Sequence, residues 1–221
     1  MIPVLFTTFN RLHYTKRTLP VLLENTPEGK IIVIDNGSTD GTVEYLSHLS
    51  GNFECTFNFK NTGISGAMNR FFEMTKDAEY VAKVDNDTLV PVNWLENLVV
   101  VLEKAHLDIV QAAHYFHSTI YKDLDELLLR RPSKKLENGN VVYAKIVGGS
   151  GIVLRREIIQ EPLEDNGLYG WGNFQYQHRE HRRAIFDGVW INLLDMADYN
   201  TYQTDIDTNY FLSTGRFEKY G

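Results

Sequence analysis

Short apolar runs alternate with longer amphipathic ones through the first half of the chain. Residues 3–9 (PVLFTTF) are rich in β-formers and predict a buried strand. Residues 12–24 follow with helical spacing, which Pro20 is expected to kink or shorten. Residues 30–35 (KIIVID) predict a second buried strand, with turn chemistry at Asn36, Gly37 and Ser38 after it. Thr39 or Asp40 then caps a helix over 41–49. An alternating strand over 53–59, a helix over 65–75 and a strand over 80–84 that ends at Asp85 continue the series. A helix over 92–104, opened by Pro91, and a strand over 109–114 complete it.

Strand and helix in alternation imply an α/β fold, a mostly parallel central sheet with helices on both faces. Such sheets bind ligands at the carboxyl ends of their strands. The polar residues gather at those ends: residues 8–11 (TFNR), Asp35 with Asn36, residues 61–63 (NTG) and residues 85–87 (DND). After about residue 115 the pattern changes. A short amphipathic helix is expected over 122–131, a polar loop over 132–140, and strands over 141–147, 151–155 and 189–194. Residues 167–183, rich in Gly, Trp, Tyr, His and Arg, show little periodicity.

Composition narrows the class. With 43% hydrophobic and 23% charged residues among 221, the chain is neither disordered, collagen-like nor a coiled coil. Aromatics at 12% suit both a sizeable core and a stacking site. A net charge of -7 argues against non-specific nucleic-acid binding, which needs Lys and Arg to neutralise phosphates. The single cysteine, Cys55, excludes a disulfide scaffold and a Cys-based zinc site. It fits a reducing compartment, so a cytoplasmic location is expected. The N-terminus lacks a basic region and cleavage site, so no signal peptide is expected. The densest apolar run elsewhere, 98–102, is far short of the roughly 20 residues of a bilayer span.

Asp85 and Asp87 follow the apolar run YVAKV, so two carboxylates sit where the chain leaves a sheet. Hard divalent cations such as Mg²⁺ and Mn²⁺ take oxygen ligands shared between carboxylates and substrate phosphates. A bare D-x-D is common, and taken alone the same three residues read first as a plain Asx turn after a strand. Asp35 offers a carboxylate to a nucleobase N–H or a ribose hydroxyl, whereas Asp40 reads as a helix cap. The small residues of 61–69 (NTGISGAMN) allow a ligand near the backbone, and a helix N-terminus there favours phosphate.

Taken together, residues 3–11, 33–42 (VIDNGSTDGT), 61–69 and 83–87 (KVDND) resemble the GT-A nucleotide-sugar glycosyltransferases of family 2 in order and spacing. The resemblance covers roughly the first 115 residues. It implies one domain over 1–221, with a nucleotide-sugar-binding half to residue 115 and an acceptor-side half from 116. It implies that Thr7, Thr8, Asn10, Arg11, Asp35, Asn61, Gly63 and Asn69 serve the nucleotide-sugar donor. Asp85, Asn86 and Asp87 then stand as the family's DXD motif, with Asp85 and Asp87 on ribose and a Mn²⁺ or Mg²⁺ at the diphosphate. Residues 148–151 (GGSG) resemble the Gly-rich turn beside the diphosphate, which adds Gly149 to the donor set. Asp195, ending the strand over 189–194, is the candidate third metal ligand by position.

Residues 170–172 (GWG) resemble a segment that precedes the catalytic acidic pair in some galactosyltransferase-like relatives. Trp171 is then a sugar-stacking residue, or else a core residue. The chain departs from the pattern directly afterwards: residues 173–178 (NFQYQH) carry no acid, and Gln175 is no general base. Glu164, Asp165, His178 and Glu180 are the nearby candidates for proton removal, although residues 177–183 (QHREHRR) also read as a solvated helix face. Alternatively the donor phosphate takes the proton with retention. Arg130, Arg131, Lys134 and Lys135 read as a solvated loop, and Asp205 with Asp207 as surface.

The expected function is therefore a metal-dependent glycosyltransferase, UDP-sugar donors first, acting on a glycan, lipid-linked sugar, protein or nucleic-acid acceptor. A sugar-phosphate nucleotidyltransferase would need a Gly-rich loop after the first strand, where this chain has residues 7–11 (TTFNR). A nucleotide-sugar or carbohydrate-binding protein without catalysis is favoured only by the missing acidic pair.

Overall fold

Runs of Val, Leu, Ile and Phe suit a pleated surface buried on both faces, and they form the centre of the sheet. A computed structural model of the chain describes residues 1–114, 131–164 and 170–194. In chain order the elements are β1 (Ile2–Thr8), α1 (Leu12–Asn25), β2 (Gly29–Asp35), α2 (Thr42–His48), β3 (Phe53–Phe57), α3 (Gly63–Met74) and β4 (Tyr80–Asp85). There follow β5 (Thr88–Leu89), α4 (Trp94–Lys104), β6 (Ile109–His114), β7 (Ser133–Leu136), β8 (Gly139–Tyr143), β9 (Ile152–Arg155), α5 (Gly170–Gln177) and β10 (Arg183–Leu193).

The strand order is β3-β2-β1-β4-β9-β6-β10-β8-β7, with β5 paired to β10. Pairing is parallel for β1 with β2 and β4, for β2 with β3, and for β6 with β10. β9 runs antiparallel between β4 and β6, and β8 antiparallel to β10. The carboxyl ends of β1, β2, β4, β6 and β10 therefore face one rim. Alternate strand residues point to opposite faces. Val4, Phe6, Ile31, Val33, Ala82 and Val84 pack under α1, α2 and α4. Leu5, Ile32, Ile34 and Val81 pack against α3 and α5.

Three boundaries differ from expectation for identifiable reasons. Pro20 does not shorten α1, which runs on to Asn25 and carries the proline on its exposed face while Tyr14, Thr15, Thr18, Leu19 and Leu22 form the buried stripe. Pro91 does not open α4; Asn93 in the left-handed region (φ 59°) precedes its first residue, Trp94. The polar loop over 132–140 is a hairpin, in which β7 is an edge strand whose lysines face solvent. The helix expected over 122–131 lies outside the described residues, apart from Arg131. Among the described residues no helix is long and apolar enough to cross a membrane.

Candidate active site

The chain leaves β1 through two consecutive left-handed residues, Asn10 (φ 55°) and Arg11 (φ 61°). Asparagine tolerates this region, but arginine there costs on the order of 1–2 kcal/mol, so the surroundings must hold it. They do so on both sides. The Asn10 N–H donates to Ser38 Oγ (2.7 Å), and Asn10 Oδ1 accepts from the Thr39 N–H (2.8 Å). Asp40 accepts from the N–H of Leu12 (2.8 Å) and of Thr42 (3.1 Å), tying the starts of α1 and α2 together. The strained turn aims Arg11 at Asp87, with Nη1 3.1 Å from Oδ2, and lays its guanidinium over the Tyr14 ring at 4.4 Å.

Asp85 and Asp87 leave β4 at the same rim. Thr7 Oγ1 donates to Asp85 Oδ1 (2.9 Å), and the Lys83 ammonium sits 2.5 Å from that oxygen. Lys83 also donates to the Gly149 carbonyl. Its residue is 2% exposed, so the cation is enclosed between the carboxylate and the turn over 148–151. The Asp85 N–H donates to Ser150 Oγ (2.9 Å), and Gln111 from β6 clamps the same turn at the Gly148 N–H and the Ser150 carbonyl. Each acid of the pair thus meets a buried cation from the sheet side, Lys83 for Asp85 and Arg11 for Asp87.

Asp35 ends β2 fully buried. Its Oδ2 accepts the N–H groups of Gly37 (3.1 Å) and Ser38 (3.0 Å). Gly37 is left-handed (φ 86°), and a Cβ on it would lie 2.9 Å from the Lys60 backbone, so this turn requires glycine. Asp35 Oδ1 is buried with no hydrogen-bond partner among the described residues. Together with burial, the Asp35 charge raises the neighbouring Cys55 thiol to about 12, which removes Cys55 as a nucleophile.

Several expected donor residues are engaged in holding the loops. Asn86 Nδ2 bridges Thr8 Oγ1, Thr15 Oγ1 and the Asn10 carbonyl, and Thr8 meets Thr15 at 3.0 Å. Asn61 accepts from Asn36 (2.7 Å) and from the Gly63 N–H (2.8 Å), which shapes the entry to α3. Asn69 faces away from the rim, with its amide exchanging two hydrogen bonds with the Leu163 backbone. Trp171 is 6% exposed, stacks on Phe174 and donates to the Gly148 carbonyl, so it packs beneath the glycine turn.

His178 and Glu180 do not join the site. They follow α5, which runs from the glycine turn toward the amino ends of β6 and β10, where Arg182 pairs with Asp108. Seven residues of helical rise place His178 about 10 Å below Trp171. Glu164 lines a cavity beside them. Asp165 and Asp195 lie outside the described residues. Leu194, the residue before Asp195, donates its N–H to the Asp87 carbonyl (2.7 Å).

Gln175 is fully buried and bonds both the N–H (2.9 Å) and the carbonyl (3.0 Å) of Val147. Its role is to hold the irregular segment that leads into the glycine turn; β8 ends at Tyr143, so the strand expected over 141–147 stops four residues short. Gln175→Ala strands both backbone groups and is expected to cost about 2–4 kcal/mol of stability. Denaturant unfolding checks this, and a loss below about 1 kcal/mol would mean that Val147 finds other partners.

Lys83 and Gln111 were missed from sequence. The signal for Lys83 was present: a lysine inside an otherwise apolar strand is buried only when paired. Nothing in the sequence marked Gln111.

Residues 4–161 match the sequence profile described as Glycosyl transferase family 2. A stretch of 108 residues is 29% identical to an uncharacterised glycosyltransferase of Haemophilus influenzae, covering 47% of this chain and 33% of that protein. The fold is similar to S. aureus TarS 1-349 (TM-score 0.62, 13% identity, 90% of this chain and 61% of that one). It is also similar to the mannosyltransferase PcManGT of Pyrobaculum calidifontis, solved with GDP-Man and Mn²⁺ (TM-score 0.64, 16% identity, 87% and 56%). GalNAc-T7, solved with UDP, GalNAc and Mn²⁺, gives a TM-score of 0.64 at 15% identity over 87% of this chain and 43% of that one. The chain spans less than two thirds of each of these proteins.

Proposed function

The chain belongs to glycosyl transferase family 2, and on that premise we propose that it transfers a sugar from a nucleoside-diphosphate donor, UDP-sugars first, to an acceptor. The observation that carries this reading is the paired carboxylates at the β4 rim, flanked by Asp35, the strained turn at Asn10 and Arg11, and the glycine turn. The nucleoside docks on the ends of β1 and β2, with Asp35 Oδ1 accepting from the base. Among the described residues that oxygen is a buried acceptor without a donor, a state costing roughly 1–3 kcal/mol that a base N–H would relieve. The diphosphate then lies toward Asp85, Asp87 and Gly149.

A Mn²⁺ or Mg²⁺ fits this donor set, which offers carboxylate oxygens and neither sulfur nor imidazole. Asp87 would hold the ion, with Asp85 facing the ribose and Asp195 as a further ligand. A carboxylate has about four lone-pair positions, so the Arg11 contact leaves room for an ion on Asp87. When bound, such an ion neutralises charge on the departing diphosphate. Arg11 and Lys83 hold the two acids in place and add fixed positive charge at the same rim. With His178 and Glu180 at the opposite rim, Glu164 and Asp165 are the side chains left as candidate proton acceptors.

Asp35→Asn keeps the shape and removes the charge. Nucleotide affinity is expected to fall about 10–100-fold, the worth of a charge-assisted hydrogen bond, with metal dependence intact. Calorimetry with UDP measures it, and unchanged affinity would remove the nucleoside from the end of β2. In a UDP-sugar panel, donor turnover separates an enzyme from a module that only binds.

A further inference from the structure

We propose that His178, Glu180 and His181 form a second cation site, for a zinc-class divalent ion, on the rim opposite the carboxylate pair. The three offer donor atoms that all lie within 4.8 Å of one another. His178 Nδ1 is 3.1 Å and His181 Nε2 3.9 Å from the same Glu180 oxygen. Ligands on a tetrahedral zinc, at about 2.0–2.2 Å from the metal, stand about 3.3 Å apart. Small side-chain rotations bring this trio to that spacing.

The frame is built before any ion arrives. The two imidazoles are stacked at 5.6 Å and 19°, and Phe174 packs against both, at 4.7 Å from His178 and 5.9 Å from His181. The His178 N–H closes the last turn of α5 on the Phe174 carbonyl, and the His178 carbonyl accepts from Arg183, which is 3% exposed. The neighbouring guanidinium groups make their hydrogen bonds and stacking contacts to other groups, although the Arg183 charge also acts on Glu180. Arg179 lies over the Tyr176 ring, Arg182 donates to the Ala105 carbonyl, and Arg183 is committed to main-chain carbonyls. A cavity of about 410 Å³ opens beside the trio, with Glu161 and Glu164 on its wall. It gives water or a further carboxylate access to the open coordination position.

Two imidazoles with one carboxylate select zinc, cobalt or nickel, whereas the all-oxygen set at the β4 rim selects magnesium or manganese. The chain would therefore carry two cation sites of different chemistry at opposite rims. Equilibrium dialysis of the nucleotide-free chain against zinc, followed by metal analysis, tests this. One zinc per chain is expected, with affinity reduced at least about tenfold in His178→Ala and in His181→Ala and kept in Asp87→Asn. Cobalt in place of zinc should give visible absorption that Glu180→Gln alters. Circular dichroism verifies that the variants fold, as expected for side chains at the surface. No stoichiometric zinc in the wild-type chain, or equal zinc retention by both histidine variants, would overturn the site.

Discussion

Asp87→Asn is expected to lower donor turnover, as kcat/KM, by about a thousandfold. The carboxamide keeps the volume and an oxygen for Thr88, but it lacks the negative charge that holds a hard cation tightly and forms the ion pair with Arg11. An ion at a departing diphosphate contributes several kcal/mol, and about 4 kcal/mol corresponds to three decades in rate. The variant should also lose its response to Mn²⁺, because the carboxylate proposed to anchor the ion is gone. Arg11 then loses its ion pair with Asp87, so some loss of stability accompanies the change. Steady-state kinetics across a manganese titration separates the two effects. A variant that folds and still shows a normal manganese response would place the ion elsewhere.

Lys83→Met is the second large effect. Methionine fills the channel of the lysine stem but removes the cation between Asp85 and Gly149. Asp85 keeps Thr7 as its partner, and the glycine turn loses one of its tethers. Charge-assisted bonds of this kind are worth about 1.5–3 kcal/mol, so UDP affinity should fall roughly 10–150-fold. Lys83→Arg should not restore it, since a guanidinium is too large for a cation enclosed in this way. Binding by calorimetry, with thermal unfolding as the control, measures the change. Undiminished UDP affinity in Lys83→Met would reduce that lysine to a structural ion pair.

The first half of the fold was legible because its strands are buried on both faces and its helices present clear stripes. The strand ends then placed Arg11, Asp35, Asp85 and Asp87 at one rim without any knowledge of contacts, whereas Thr7 came only from the family resemblance. The second half was less legible for physical reasons. β7 exposes its lysines to solvent and carries no apolar pattern, so it resembles a loop. α5 is only eight residues long and is buried through Trp171, Phe174 and Gln175 without a sustained period. Side-chain partnerships were out of reach. Asn69, close in sequence to the other polar loop residues, turns to Leu163, and Gln175 serves Val147. The apolar run around Lys83 implies that the lysine is paired, but not with what: one of its partners is a turn 66 residues further along the chain.

Titration of UDP into the wild-type chain, once with Mn²⁺ and once with EDTA, tests the proposed donor site most directly. Saturable binding at one site with manganese, weakened at least about tenfold when the metal is removed, is the predicted result. Equal affinity with and without metal would contradict an ion held at Asp87, and no binding of any nucleoside diphosphate under either condition would contradict the donor site itself.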